Sequence, residues 1–323
     1  MNITKTYGTF PSSNGSSTVH YTVWKPDCNP SAMVQIAHGM CENVERYDGL
    51  ARYLCEQGFI VYGNDHIGHG RSVDSDDQLG YFAEEDGDLY LVRDVNALNQ
   101  LMKKTYRSLP TVLLGHSMGS FIARAYLMGY GNSIDGLILS GTSGGGKPLG
   151  LAKWLCKRIA KSKGTHYRSD FIHNLVFGRY SKPYAKNKNF TGYEWITNNP
   201  ELSGGNAKDF RFTVQGFYDL FTLLEFVNSD EWYQKVPKGL PIYLISGSED
   251  PVGDYGKDLP MIAETLLDFD SSDIEYKLYD GERHDLISGL RREEVMGDIG
   301  EFVNKVAEGV QEARRASYWS PSR

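Results

Sequence analysis

Three short segments hold side chains that could make and break an acyl bond: Gly115-His116-Ser117-Met118-Gly119, Ser246-Gly247-Ser248-Glu249-Asp250-Pro251 and Gly281-Glu282-Arg283-His284. A serine hydroxyl is a poor nucleophile at neutral pH until an imidazole accepts its proton and a carboxylate holds that imidazole in the right tautomer. Ser117, Asp250 and His284 supply these three groups in the chain order serine, acid, histidine. Glu249 and Asp254 compete with Asp250 for the acid's role. Asp250 has the better placement, a few residues past an apolar strand with Pro251 fixing the next φ.

The pattern Gly-x-Ser-x-Gly is weak alone in a chain with 35 glycines, and it occurs here twice. Context separates the two. Ser117 follows the apolar run Thr111 to Leu114 and precedes Phe121 to Leu127, which reads as strand, sharp turn and helix. Gly115 and Gly119 stand where a side chain would collide across such a turn, and the helix aims its free N–H groups at the serine. Ser143, in Gly141-Thr142-Ser143-Gly144-Gly145, runs into Gly146-Lys147-Pro148, which cannot start a helix. A tetrahedral intermediate also needs two N–H donors for its oxyanion. Met118, next to the nucleophile, offers one. The loop after an early strand, Met33 to Ala37, offers the other at Met40, just past His38-Gly39.

The elements that must position these groups alternate in type. Tyr7 to Phe10 and Val19 to Trp24 flank a Ser-Asn-Gly-Ser turn and read as a hairpin. Strands at 33–37, 59–63, 111–114, 137–140, 242–246 and 274–279 are then interleaved with helices near Arg46 to Gln57, Gly87 to Tyr106, after Ser117, and from Arg292 to Val310. Such alternation predicts an α/β fold, a mostly parallel central sheet flanked by helices. Ser117, Asp250 and His284 each fall just past a strand, where sites in these sheets lie. Residues 141–237 break the alternation and read as a mainly helical cap, or lid, inserted in a core made of 1–140 and 238–323.

Four segments carry a resemblance. His38-Gly39-Met40-Cys41-Glu42-Asn43 leading to Arg46-Tyr47, Asn64-Asp65-His66-Ile67-Gly68-His69-Gly70-Arg71-Ser72, the Ser117 pentapeptide, and the Asp250 and His284 segments together are similar to the α/β-hydrolase superfamily, and within it to the monoacylglycerol lipase and lysophospholipase group. The likeness covers roughly 30–145 and 240–305. It implies hydrolysis of a carboxylic ester of a monoacylglycerol or lysophospholipid by a Ser117–His284–Asp250 triad, with no metal or organic cofactor. Two departures stand out. Relatives usually have Gly-Glu-His where this chain has Cys41-Glu42-Asn43, and an Asp-Pro-x-Cys-Gly-like stretch where it has Asn199-Pro200-Glu201-Leu202-Ser203-Gly204-Gly205. A broad short-chain or aryl carboxylesterase and an acyltransferase on the same triad remain alternatives.

Composition bounds the rest. The 323 residues, 40% apolar, can bury one large core. Cys28, Cys41, Cys55 and Cys156 are scattered without metal or disulfide spacing, and His66 and His69 find no third ligand nearby in sequence. No eighteen-residue apolar run occurs and the first residues lack a signal peptide's pattern, so the expected location is cytoplasmic, with peripheral membrane contact as an option. Charge is uneven: the chain carries −7, yet residues 147–188 hold 11 Lys or Arg and one acid, Asp170. With Leu149, Leu151, Trp154, Leu155 and Ile159 among the lysines, this stretch suits an anionic lipid surface or, equally, a cap helix packed on the body with its lysines solvated. The acidic remainder and lack of a recognition motif argue against nucleic acid. From Phe210 to Phe226 the aromatic density marks cap core, with Phe217 and Phe221 expected on an acyl-chain pocket wall.

Overall fold

The computed structural model describes residues 2–145, 149–186, 191–199 and 210–319. It opens with a hairpin of β1 (Ile3–Pro11) and β2 (Thr18–Pro26), longer than the alternation predicts, whose turn is tightened by Asn14 Oδ1 accepting from the Ser16 and Ser17 N–H groups. Next come β3 (Ala32–Ala37), β4 (Phe59–Asn64), β5 (Thr111–His116), β6 (Gly136–Ser140), β7 (Ile242–Gly247) and β8 (Ile274–Tyr279). The eight strands form one sheet in the order β1-β2-β4-β3-β5-β6-β7-β8. Pairs from β4 to β8 are parallel, and β2 meets both β1 and β4 antiparallel.

Every residue of β3 to β7 is buried, which is why these strands read as mainly apolar runs. Alternate residues serve the two faces. Val112 and Leu114 of β5 belong to the core shared with α1 (Asp48–Glu56) and α9 (Arg292–Trp319), while Leu113 belongs to the core on the other face, shared with α2 (Gly87–Thr105), α3 (Met118–Tyr130) and α8 (Asp258–Asp268). Between β6 and β7 the described α-helices are α4 (Leu149–Lys163), α5 (Asp170–Ser181), α6 (Val214–Val227) and α7 (Asp230–Lys235), with a non-helical segment at 191–199. Ser169, Thr213 and Ser229 cap α5, α6 and α7 by accepting from the N–H three residues on.

Two boundaries differ from expectation. The helix expected from Arg46 starts as a 3₁₀ turn, Val44–Tyr47, because Asn43 caps it at Glu45 N–H, and becomes α-helical only at Asp48. The last helix runs to Trp319 instead of Val310. Its final turns need no apolar face, since Ala, Glu and Arg favour helix on their own, and Arg314 ties them to the Ser108 carbonyl.

Candidate active site

β5 ends at His116 and α3 begins at Met118, so the whole change of direction falls on Ser117, at φ 53° and ψ −120°. That backbone is costly for a residue with a Cβ and persists only where packing dictates it. Packing does so here. A Cβ on Gly115 would stand 2.4 Å from the Gly119 carbonyl oxygen, and one on Gly119 would stand 2.0 Å from the Ala37 oxygen. No other residue type fits at either place.

Ser117 Oγ donates to His284 Nε2 across 2.8 Å, and His284 Nδ1 donates to Asp250 Oδ2 across 2.9 Å. Asp250 is fully buried. Its Oδ2 also accepts from Ser246 Oγ and its Oδ1 from the Val252 N–H, so the carboxylate is hydrogen-bonded on both oxygens. Burial pushes its pKa up, but the His284 charge and these hydrogen bonds reverse that and hold it below the usual carboxylate range. For His284, burial disfavours the cation. Charge and hydrogen bond from Asp250, with Asp285 and Glu42 behind, outweigh burial and raise its pKa above the ordinary 6.5. The rival acids lie elsewhere: Glu249 pairs with Arg283, and Asp254 pairs with Lys257 at the surface.

The loop after β3 is pinned on both sides of Gly39. Its N–H donates to Glu42 Oε1, and its carbonyl accepts from His38 Nδ1–H at 2.8 Å. His38 Nε2 in turn accepts from the His66 N–H at 2.9 Å, which fixes the tautomer. In a planar trans peptide the carbonyl and the next N–H point to opposite sides, so tying down the Gly39 carbonyl turns the Met40 N–H the other way. Among the described residues neither the Met40 nor the Met118 N–H has a hydrogen-bond partner. Both residues line one cavity with Ser117 and His284.

That cavity, about 1100 Å³, has two characters. Leu149, Phe121, Leu220, Phe221, Leu224 and Phe210 give it an apolar wall. Glu42, Arg46 and Asp285 give it a polar corner beside Ser117. Arg46 is spent within that corner, bridging Asp285 and Glu42, and Glu42 also accepts from Tyr47. No local pattern marks this cluster, because it joins two loops far apart in sequence. Phe221 lines the cavity. Phe217 does not: it lies one turn earlier on α6, fully buried against Phe212 and Phe177, behind the wall.

Other candidates resolve locally. Ser143 also faces the cavity, but its Oγ donates to Asp258 across 3.2 Å. His66 and His69 acquire a third imidazole in space, since their rings pack against His38, yet the described residues contain no group arranged to hold a metal ion. Cys41 Sγ donates to the Phe210 carbonyl across 2.9 Å. In the basic stretch, Leu149, Leu155 and Ile159 pack inward while Leu151 and Trp154 stay exposed. Lys147, Lys188 and the stretch 200–205 lie outside the described residues, as does the Gly146 to Pro148 run after Ser143. No described helix is long and apolar enough to cross a membrane.

A parallel sheet with a serine at the elbow, an acid after β7 and a histidine after β8 defines an α/β-hydrolase. A family model described as serine aminopeptidase, S33, matches residues 28–290, and the chain belongs to that family. It is 30% identical to the monoglyceride lipase of Homo sapiens over 263 residues, 81% of this chain and 78% of the human one. It is 35% identical to a monoacylglycerol lipase of Mycolicibacterium smegmatis over 127 residues, 39% of this chain and less than half, 43%, of that relative. Among solved structures, a thermostable carboxyl esterase from Bacillus coagulans, in complex with glycerol, superposes with a TM-score of 0.86 at 28% identity, covering 95% of this chain and 99% of that one.

Proposed function

We propose that this protein is a serine hydrolase of carboxylic esters and that its substrate is a monoacylglycerol. The observation that carries the reading is the hydrogen-bonded series Ser117–His284–Asp250 opening on a large, mainly apolar cavity. His284 takes the Ser117 proton as Oγ attacks the acyl carbonyl, and the Met40 and Met118 N–H groups hold the oxyanion. Collapse breaks the ester bond, with His284 returning the proton to the leaving alcohol. Water, deprotonated by the same imidazole, then cleaves the acyl-enzyme.

The polar corner narrows the alcohol. Glu42, Arg46 and Asp285 sum to one negative charge, and the only cation among them is already paired twice. The other cations lining the cavity, Arg179 and Lys182, come from the insertion; in the corner itself a neutral polyol can exchange hydrogen bonds, whereas a phosphate would face two carboxylates. This favours monoacylglycerol over lysophospholipid. The relatives named as monoglyceride lipases point the same way. Residues 141–237 act as the cap. Its exposed Leu151, Trp154, Phe171 and Leu175, set among Lys153, Lys157, Arg158 and Lys161, suit peripheral contact with an anionic bilayer.

Initial hydrolysis rates on glyceryl monoesters from acetyl to stearoyl, beside a Ser117→Ala control, test the reading. A maximum at medium or long chains, abolished in the control, supports it. A maximum at acetyl or butyryl replaces it with a short-chain esterase, and faster capture of the acyl group by added alcohols than by water replaces it with an acyltransferase.

A further inference from the structure

Residues 191–199, from the insertion between β6 and β7, cross the loop that carries His284. The pairing is main chain to main chain where it matters most: the His284 N–H donates to the Trp195 carbonyl across 3.4 Å, and the Asp285 N–H to the Ile196 carbonyl across 2.7 Å. Side chains extend the seam. Arg283 Nη1 donates to the Glu194 and Thr197 carbonyls, and Thr197 Oγ1 donates to the Ser288 carbonyl at 3.1 Å. Asn198 closes it, donating from Nδ2 to the Gly281 carbonyl at 2.8 Å and accepting the Leu290 N–H at Oδ1. The Trp195 indole, 7% exposed, lies 5.2 Å from the His284 ring and packs otherwise on Phe177 and Tyr180 of α5.

A loop past the last strand has no ladder to satisfy its donors. Here the donors at 284 and 285 are satisfied by the insertion. Asp250 governs how the imidazole is turned, but it does not fix where the His284 backbone sits. A misplacement of about 1 Å in such a group costs on the order of a hundredfold in rate.

We infer that residues 194–198 are a strap that positions His284, so that the triad is assembled only while the cap is seated; Trp195, Arg283 and Asn198 are positioning residues. The inference rests on the Ser117–His284–Asp250 reading above. Its consequence is that the cap does more than cover the site. Phe177, Tyr180 and Trp195 all line the cavity, so an acyl chain and the histidine share one wall.

The test uses the full chain with Arg283→Ala, Arg283→Lys and Asn198→Ala, reading the labelling rate of Ser117 by a small organophosphate and kcat and KM on a soluble short ester. Labelling rate and kcat fall about tenfold or more in both alanine variants with KM nearly unchanged, and lysine, which still donates to one carbonyl, restores part of the loss. Thermal unfolding shows that each variant is folded. Because Arg283 also pairs with Glu249 and lies over Tyr184, the Asn198 variant stands as the independent arm. Folded alanine variants that label at the rate of the unmodified chain overturn the strap alone, and so does a loss confined to KM for long-chain esters. If the unmodified chain itself is not labelled, the triad reading falls and takes the strap with it.

Discussion

The nucleophile elbow and the outer helices of the insertion are held by different physics. Around Ser117 every neighbour is committed: Met118 to Leu127 are all buried, and Gly115 and Gly119 touch backbone that cannot retreat. Density of that kind leaves one arrangement available. Helices α4 and α5 are the reverse. Each buries a single residue, Cys156 in one and Ile172 in the other, while Leu151, Trp154, Phe171 and Leu175 are 63%, 56%, 60% and 49% exposed. Their inner faces, with Leu149, Leu155 and Ile159 of α4 and Val176 and Phe177 of α5, are only half-buried against the core, and elements with so few fully buried side chains open at lower cost than the elbow does. The strap at 194–198 is where the two regimes meet.

The comparison is broken most severely at the serine. Ser117→Ala should lose activity by about 10⁴-fold or more while leaving the thermal midpoint within a few degrees, because only a hydroxyl is removed. Retained hydrolysis would move the chemistry away from the elbow altogether. Asp250→Asn follows, with an expected loss in kcat of the order of 10⁴, since the amide no longer holds the imidazole in the tautomer that presents Nε2 to Ser117. A mild loss would instead put Glu249 or Asp254 back in contention.

Acidity sharpens the same contrast. Because His284 is raised above 6.5 by Asp250 against the pull of burial, kcat/KM should rise with pH through a midpoint above 6.5, falling about tenfold per unit below it as the imidazole protonates. In Asp250→Asn that support is gone and burial dominates, so the residual activity should titrate at lower pH. A midpoint that does not move would show that the carboxylate does not govern the imidazole. The linked stability runs in two directions: the His284 contribution is present below 6.5 and lost as pH rises through the raised value, and the Asp250 contribution is present above 3.8 and lost as pH falls through the depressed one.

How much of this could be read in the chain follows the same division. Ser117 was legible because strand, turn and helix are written in adjacent residues, and its two glycines have a steric reason visible in the spacing alone. His38-Gly39 signalled a loop next to the nucleophile. Asp250 was legible only as the best of three acids, since which carboxylate reaches the imidazole depends on the path of the loop. The Glu42–Arg46–Asp285 corner and the Trp195 strap were not legible at all, being made between segments whose proximity is a product of the fold. The contrast between Phe217, packed on Phe212, and Phe221, on the cavity, was hidden for a related reason. Apolar spacing places a residue on the buried face of a helix, but which part of that face meets the cavity and which meets Phe212 is settled by the neighbouring helices.

The smallest effect expected is also the most direct probe of the loose half. Trp154 and Phe171 are exposed, line no part of the cavity and lie outside the strap. Replacing both by serine should change folding stability by no more than about 0.5 kcal/mol each and leave kcat/KM on a soluble short ester unaltered, because solvated side chains contribute little to the native state. On monoester presented in vesicles containing anionic lipid the same pair should lower the rate severalfold and weaken sedimentation with the vesicles, each side chain having about 2 kcal/mol to gain by leaving water for the bilayer interface. Raised ionic strength should weaken binding further, since the neighbouring lysines act through charge. Should the double variant instead lose more than about 2 kcal/mol of stability, these two side chains would be packed in solution, and the outer cap would belong with the elbow among the rigid parts of the molecule.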